Sequence, residues 1–105
     1  MHKIITLLLI FFSAILLQSK APLQDAPDGA LLFKKNCKLC HGKDAAKETK
    51  KIPSLLKSTL DLEAMTQIVK QGKETMPAFE ETLNEAEIVA VLAYVQKLQA
   101  ATENE

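Results

Sequence analysis

Residues 37–41 read Cys37-Lys38-Leu39-Cys40-His41, and those are the only two cysteines in the chain. Two thiols with two residues between them and an imidazole directly after form the attachment pattern of a c-type haem. The spacing lets the chain curl about one turn between the sulfurs, so both reach one edge of a flat macrocycle and can add across its two vinyl groups. His41 is then carried over the haem face as an axial ligand of the iron.

Other readings of the same five residues compete. A thioredoxin-like dithiol needs a strand and helix context, which these flanks lack. A structural zinc site needs four ligands, yet the only other histidine is His2, in a stretch that reads as targeting. Three ligands crowded into five residues close a tetrahedron poorly. A Cys37–Cys40 disulfide would close a very short loop and stabilise little.

The segments that must position this motif follow it in both directions. Met1, His2 and Lys3 make a short basic start, Ile4 to Leu17 is almost wholly apolar, and Gln18-Ser19-Lys20-Ala21 supplies small residues suited to cleavage. This is a secretory signal in outline. As a helix the apolar run would span about 21 Å, short of the roughly 30 Å hydrocarbon core, which favours a cleaved signal at 1–20 over a permanent anchor. Haem of the c type is attached outside the cytoplasm, so an export signal and the cysteine motif support each other. The expected location is the periplasm, or the outer face of the membrane if the segment stays as an anchor.

Without the signal about 85 residues remain, one small domain near the size at which an apolar core alone is marginal. A covalently held haem would supply apolar mass. The chain has no tryptophan, no arginine, a single tyrosine and a formal net charge of zero. That leaves little aromatic surface for stacking bases and no general reason to expect nucleic acid.

Residues 21–27 carry Pro22 and Pro27 without apolar period and read as a leader. Asp28 can cap a helix that runs toward Asn36, delivers the cysteine motif and stops at Gly42. Residues 43–58, rich in lysine and containing Pro53, read as a loop over the haem edge. Asp61 caps a second helix with Leu62, Met65, Ile68 and Val69 as its stripe and Gly72 as its stop. Met76-Pro77 predicts extended or turning backbone, since the residue before proline is pushed out of helical geometry. Asn84 and Glu87 form a capping pair for a third helix with Ile88, Val91, Leu92, Val95 and Leu98 on one face. Residues 100–105 read as a fraying, flexible tail. Nothing alternates like a strand, so the fold class is all-α, with three to four main helices around one haem.

Taken together, Gly29 with Phe33, the Cys37–His41 motif, Ile52-Pro53-Ser54-Leu55, Met76-Pro77-Ala78-Phe79 and a closing helix with Tyr94 make the chain similar to the small monohaem class I cytochromes c. The likeness covers residues 28–99. It implies a small cytochrome c fold with one covalent haem c, Met76 as second axial ligand opposite His41, and the Pro53 carbonyl as acceptor for the far ring nitrogen of His41. Met65, inside an apolar helical stripe, reads instead as core. The resemblance also implies that Gly29 and Phe33 cross the last helix at Tyr94. Many relatives hold the haem propionates with tryptophan or arginine, and neither exists here, so the groups that hold them are unassigned.

Ligation by His41 and Met76 would fill both axial positions and leave no open site for oxygen or substrate. The implied role is single-electron carriage rather than catalysis, between respiratory or other redox partners. Two alternatives stay open: a haem enzyme or ligand sensor with a displaceable sixth ligand, and a membrane-tethered cytochrome subunit of a larger oxidoreductase. Between Lys34 and Lys57 eight lysines face Asp44 and Glu48, a balance of +6, whereas residues 74–105 hold seven glutamates against Lys97, a balance of −6. Such asymmetry predicts docking of the motif's surroundings onto an acidic patch of the partner.

Overall fold

The computed structural model describes residues 2–5 and 26–105. Residues 2–5 are helical, and Met1 with residues 6–25 of the expected signal and leader lies outside the described residues. Among the described residues no helix is long and apolar enough to cross a membrane, and none forms a strand.

Helix α1 spans Gly29–Asn36 and starts as the sequence predicts. Asp28 is extended, and its carboxylate accepts the Leu31 N–H at 3.1 Å, satisfying one of the free donors of the first turn. The single helix expected through to Gly42 is instead interrupted at Cys37, with φ −119° and ψ −30°, and resumes as α2, Lys38–His41. Hydrogen bonds continue on both sides of the interruption. The Cys37 N–H reaches the Phe33 carbonyl at 2.8 Å, and the His41 N–H reaches that of Cys37 at 2.9 Å.

Gly42 stops α2 with φ +82°. The lysine-rich stretch that follows is a loop as far as a 3-10 turn at Leu55–Lys57. Helix α3, Leu62–Gln71, is capped by Asp61 on the Ala64 N–H at 2.8 Å and ends at Gly72. Helix α4, Glu85–Glu103, opens with a reciprocal capping box: Glu87 N–H to the Asn84 side chain at 2.9 Å, and Asn84 N–H to the Glu87 carboxylate at 2.8 Å. It continues through Glu103, past the break expected after residue 99. Ala100 and Ala101, strong helix formers, carry it on.

Helix α4 is the hub, packing on α1, on α3 and on the 3-10 turn. Its expected stripe is the core: Ile88, Val91, Leu92 and Val95 are buried together with Phe33, Ala45, Met65 and Leu83, and Leu98 packs at the edge. The α1–α4 crossing is close because position 29 has no side chain. A Cβ there would lie 2.1 Å from the Ala90 carbonyl oxygen. The Phe33 and Tyr94 rings meet at 5.5 Å in a tilted arrangement across the same crossing. Gln99 ties the far end of α4 to the 3-10 turn through the Leu55 carbonyl at 2.8 Å.

Candidate haem-binding site

A cavity of about 520 Å³ opens beside this core. The α1–α2 segment brings Cys37, Cys40 and His41 to its wall, residues 51–60 form another side, and the chain after α3 brings Met76, Pro77 and Phe79. Thus all four residues singled out by motif and resemblance border one space. Met65 does not, being buried in the core.

The two thiols are free, Cys37 half-buried and Cys40 exposed. Burial, with Cys40 beside it, pushes the Cys37 thiol up to about 11. A redox dithiol needs a nucleophile whose thiolate is stabilised, and Cys37 is shifted the opposite way. Among the described residues no three histidine, cysteine or carboxylate side chains converge as metal ligands, so Cys37, Cys40 and His41 do not make a zinc site. Burial also lowers the His41 pKa, which keeps the imidazole neutral near pH 7 with a lone pair for a metal.

His41 is anchored on its carbonyl side, where the Lys47 N–H donates at 3.1 Å. Its Nδ1 is buried and has no hydrogen-bond partner. The bond to the Pro53 carbonyl that the resemblance implies is therefore not made, although Pro53 lines the same cavity. The neighbouring backbone is committed elsewhere: Thr49 N–H to the Ile52 carbonyl at 2.8 Å, and Leu55 N–H to the Ala45 carbonyl at 3.1 Å.

Met76 is half-buried in a tight two-residue hairpin. The Lys73 N–H donates to the Met76 carbonyl at 3.1 Å and the Met76 N–H to that of Lys73 at 2.9 Å. Every described residue with a left-handed φ flanks His41 or Met76: Gly42 and Ala45 follow the first, and Gly72 and Glu74 precede the second. Left-handed backbone outside glycine is uncommon and concentrates where surrounding structure must fix a functional group.

Several wall residues were given no role at the site by the sequence. Ile52, Leu55, Ile68 and Phe79 supply apolar surface, and Lys51, Lys57 and Lys73 supply its cations, with Lys57 paired to Glu48 at 2.6 Å. Ile68 belongs to the same helical stripe as Met65, and a stripe does not say which of two apolar environments each member enters. The lysines were legible only as surface charge. Two free thiols, a neutral imidazole, a thioether, an apolar wall and ammonium groups for carboxylates together fit a haem c.

The chain belongs to the small monohaem class I cytochromes c: it is an electron carrier with one covalently bound haem c, it is not an enzyme, and its partners are redox proteins. The family model that matches, over residues 24–95, is that of cytochrome C oxidase, cbb3-type, subunit III. Curated relatives are cytochromes c6. That of Gloeothece citriformis is 39% identical over 97 residues, covering 88% of this chain and 86% of its own length. That of Bryopsis maxima is 36% identical over 80 residues, covering 70% and 91%. A Nostoc cytochrome c6 is 34% identical over 102 residues, covering 90% and 92%.

Proposed function

We propose that Cys37 and Cys40 would hold the haem as thioethers, that His41 and Met76 would both ligate its iron, and that the protein shuttles single electrons between partners. The observation that carries this reading is the convergence of these four side chains on one cavity from two separate segments, α1–α2 and the hairpin after α3. When bound, the haem supplies an iron that takes up and releases one electron. The chain's own contribution is positional. Burial keeps the His41 imidazole unprotonated, the hairpin holds the Met76 thioether at the opposite segment, and a soft thioether ligand favours ferrous iron and raises the potential. The apolar side chains of Ile52, Leu55, Ile68 and Phe79 exclude water from the haem, which limits reorganisation when charge moves.

The partner surface follows from charge. All eight lysines between Lys34 and Lys57 are exposed, as is Leu39 between the two cysteines, 90% accessible. The chain around the attachment motif is thus basic and exposes an apolar side chain between the cysteines, suited to an acidic patch on the partner. Electron transfer to such a partner slows as ionic strength rises, and a flat dependence removes the charge argument. Residues 1–20 act as an export signal, 21–27 as a leader and 28–99 as the cytochrome domain, which places the carrier in the periplasm. The mass of the mature chain tests this, because retention of Ile4 to Leu17 would make it membrane-tethered.

The ligand assignment is tested by absorption spectra of the holoprotein with and without carbon monoxide. With His41 and Met76 both held as ligands, the native ferrous form would take up the gas poorly. Ready binding would overturn the carrier reading in favour of a displaceable sixth ligand.

A further inference from the structure

We infer that Gly72 positions the sixth ligand: the absence of a side chain there sets where Met76 is held. This rests on the reading of Met76 given above. In the sequence Gly72 has the look of a helix stop, and it does stop α3, with φ +75° and its N–H on the Ile68 carbonyl at 2.8 Å. The chain then reverses in the hairpin Lys73–Met76, whose first central residue, Glu74, is left-handed at φ 54°. The returning segment lies back across the end of the helix. The Phe79 N–H reaches the Val69 carbonyl at 2.9 Å and the Glu80 N–H that of Lys70 at 3.3 Å, so two of the last free carbonyls of α3 are satisfied by the segment that carries the ligand.

This return presses Met76, Pro77 and Ala78 onto Gly72. A Cβ at position 72 would stand 2.6 Å from the Met76 carbonyl oxygen, 2.9 Å from the Ala78 nitrogen and 3.0 Å from the Pro77 carbonyl carbon. All three are backbone atoms, and Pro77 is stiff, so no rotamer change relieves the contact. A side chain at 72 must therefore push the Met76 segment away from the helix end. At φ +75° and ψ 169° Gly72 also lies outside the αL region, in backbone essentially restricted to glycine. A side chain at 72, asparagine included, is therefore strained both by its own backbone and by the Met76 segment, and both strains act where the ligand segment meets the helix end.

The experiment compares Gly72→Asn, Gly72→Ala and Met76→Ala holoproteins with the wild type by haem content, far-UV circular dichroism, ferric sulfur-to-iron charge-transfer absorption, carbon monoxide binding and reduction potential. In both Gly72 variants haem attachment and helical content persist, because the α1–α4 core lies elsewhere. The charge-transfer band is lost, the ferrous form binds carbon monoxide, and the potential falls. The oxidised-to-reduced ratio at a fixed poise rises at least tenfold, about 59 mV for one electron. Gly72→Asn with native band and potential, beside a Met76→Ala variant that has lost both, overturns the inference and leaves the ligand assignment standing. Met76→Ala with a native spectrum overturns the ligand assignment and the inference with it. General loss of fold in Gly72→Asn also overturns it, since the strain is assigned to the ligand segment and not to the core.

Discussion

The α1–α4 crossing and the haem cavity are made largely of the same kinds of residue, aliphatic and aromatic side chains on neighbouring elements, and they do different work. At the crossing the inward apolar groups find protein: Phe33 and Ile88 are almost completely buried, and the backbone of Gly29 lies against that of Ala90. At the cavity Ile52, Leu55, Ile68, Met76 and Phe79 are only half-buried, and the His41 Nδ1 is sealed without a partner. The crossing closes on itself through one missing Cβ, whereas the cavity stays open between walls that separate segments contribute. Stability and redox function are thereby assigned to separate regions, joined through α3, which gives Met65 to the core and Ile68 to the cavity.

The largest effect that would break this separation is expected at Gly29. In Gly29→Ala the new Cβ meets Ala90 backbone atoms at 2.1 and 2.7 Å. Overpacking against atoms that cannot rotate away costs about 3 kcal/mol, and better helix propensity offsets at most about 1 kcal/mol of that, leaving a net loss of about 2 kcal/mol. Thermal or denaturant unfolding of the holoprotein measures it. The same sample should keep the wild-type reduction potential, and a potential that moves with stability would show that crossing and cavity are one unit.

A smaller change sharpens the same contrast. Asn84→Ala removes one half of the capping box at the start of α4, and loses about 1 kcal/mol with no change in spectrum. The smallest effect is confined to the site and concerns the chain before haem attachment. With the Cys37 thiol raised to about 11, only on the order of 0.1% of it is thiolate at pH 8, so alkylation by iodoacetamide is slow at Cys37 and quickens as pH approaches that value. Cys40 is exposed and reacts first. Equal labelling of the two at pH 8 would contradict the buried environment assigned to Cys37.

Much of the fold was legible because its signals are local. Asp28, Asp61 and Asn84 each cap the helix they precede, and Gly42 and Gly72 each stop one, since a cap is decided by a residue and its next three neighbours. The interruption at Cys37 was not legible: no proline or glycine marks it, and both adjoining turns keep their hydrogen bonds. The extension of α4 through Glu103 was not legible because the apolar stripe ends at Leu98, and only the helix propensity of Ala100 and Ala101 carries the helix on. At the site, the five-residue motif announced its chemistry, and Met76 was found only through the resemblance. The unpartnered His41 Nδ1 ran against that resemblance, because whether Pro53 can accept depends on how residues 45–55 are folded. The second role of Gly72 depends on where the chain returns after a hairpin, which no window of sequence contains.

The most direct test of the account is a redox titration of the holoprotein, followed by its absorption spectrum, beside Met76→Ala. The account predicts one reversible one-electron transition in the wild type, with the ferric sulfur-to-iron band present. In Met76→Ala the band is gone and the potential is lower, while helical content and haem attachment are kept. A Met76→Ala protein with the native ferric spectrum and potential would contradict it.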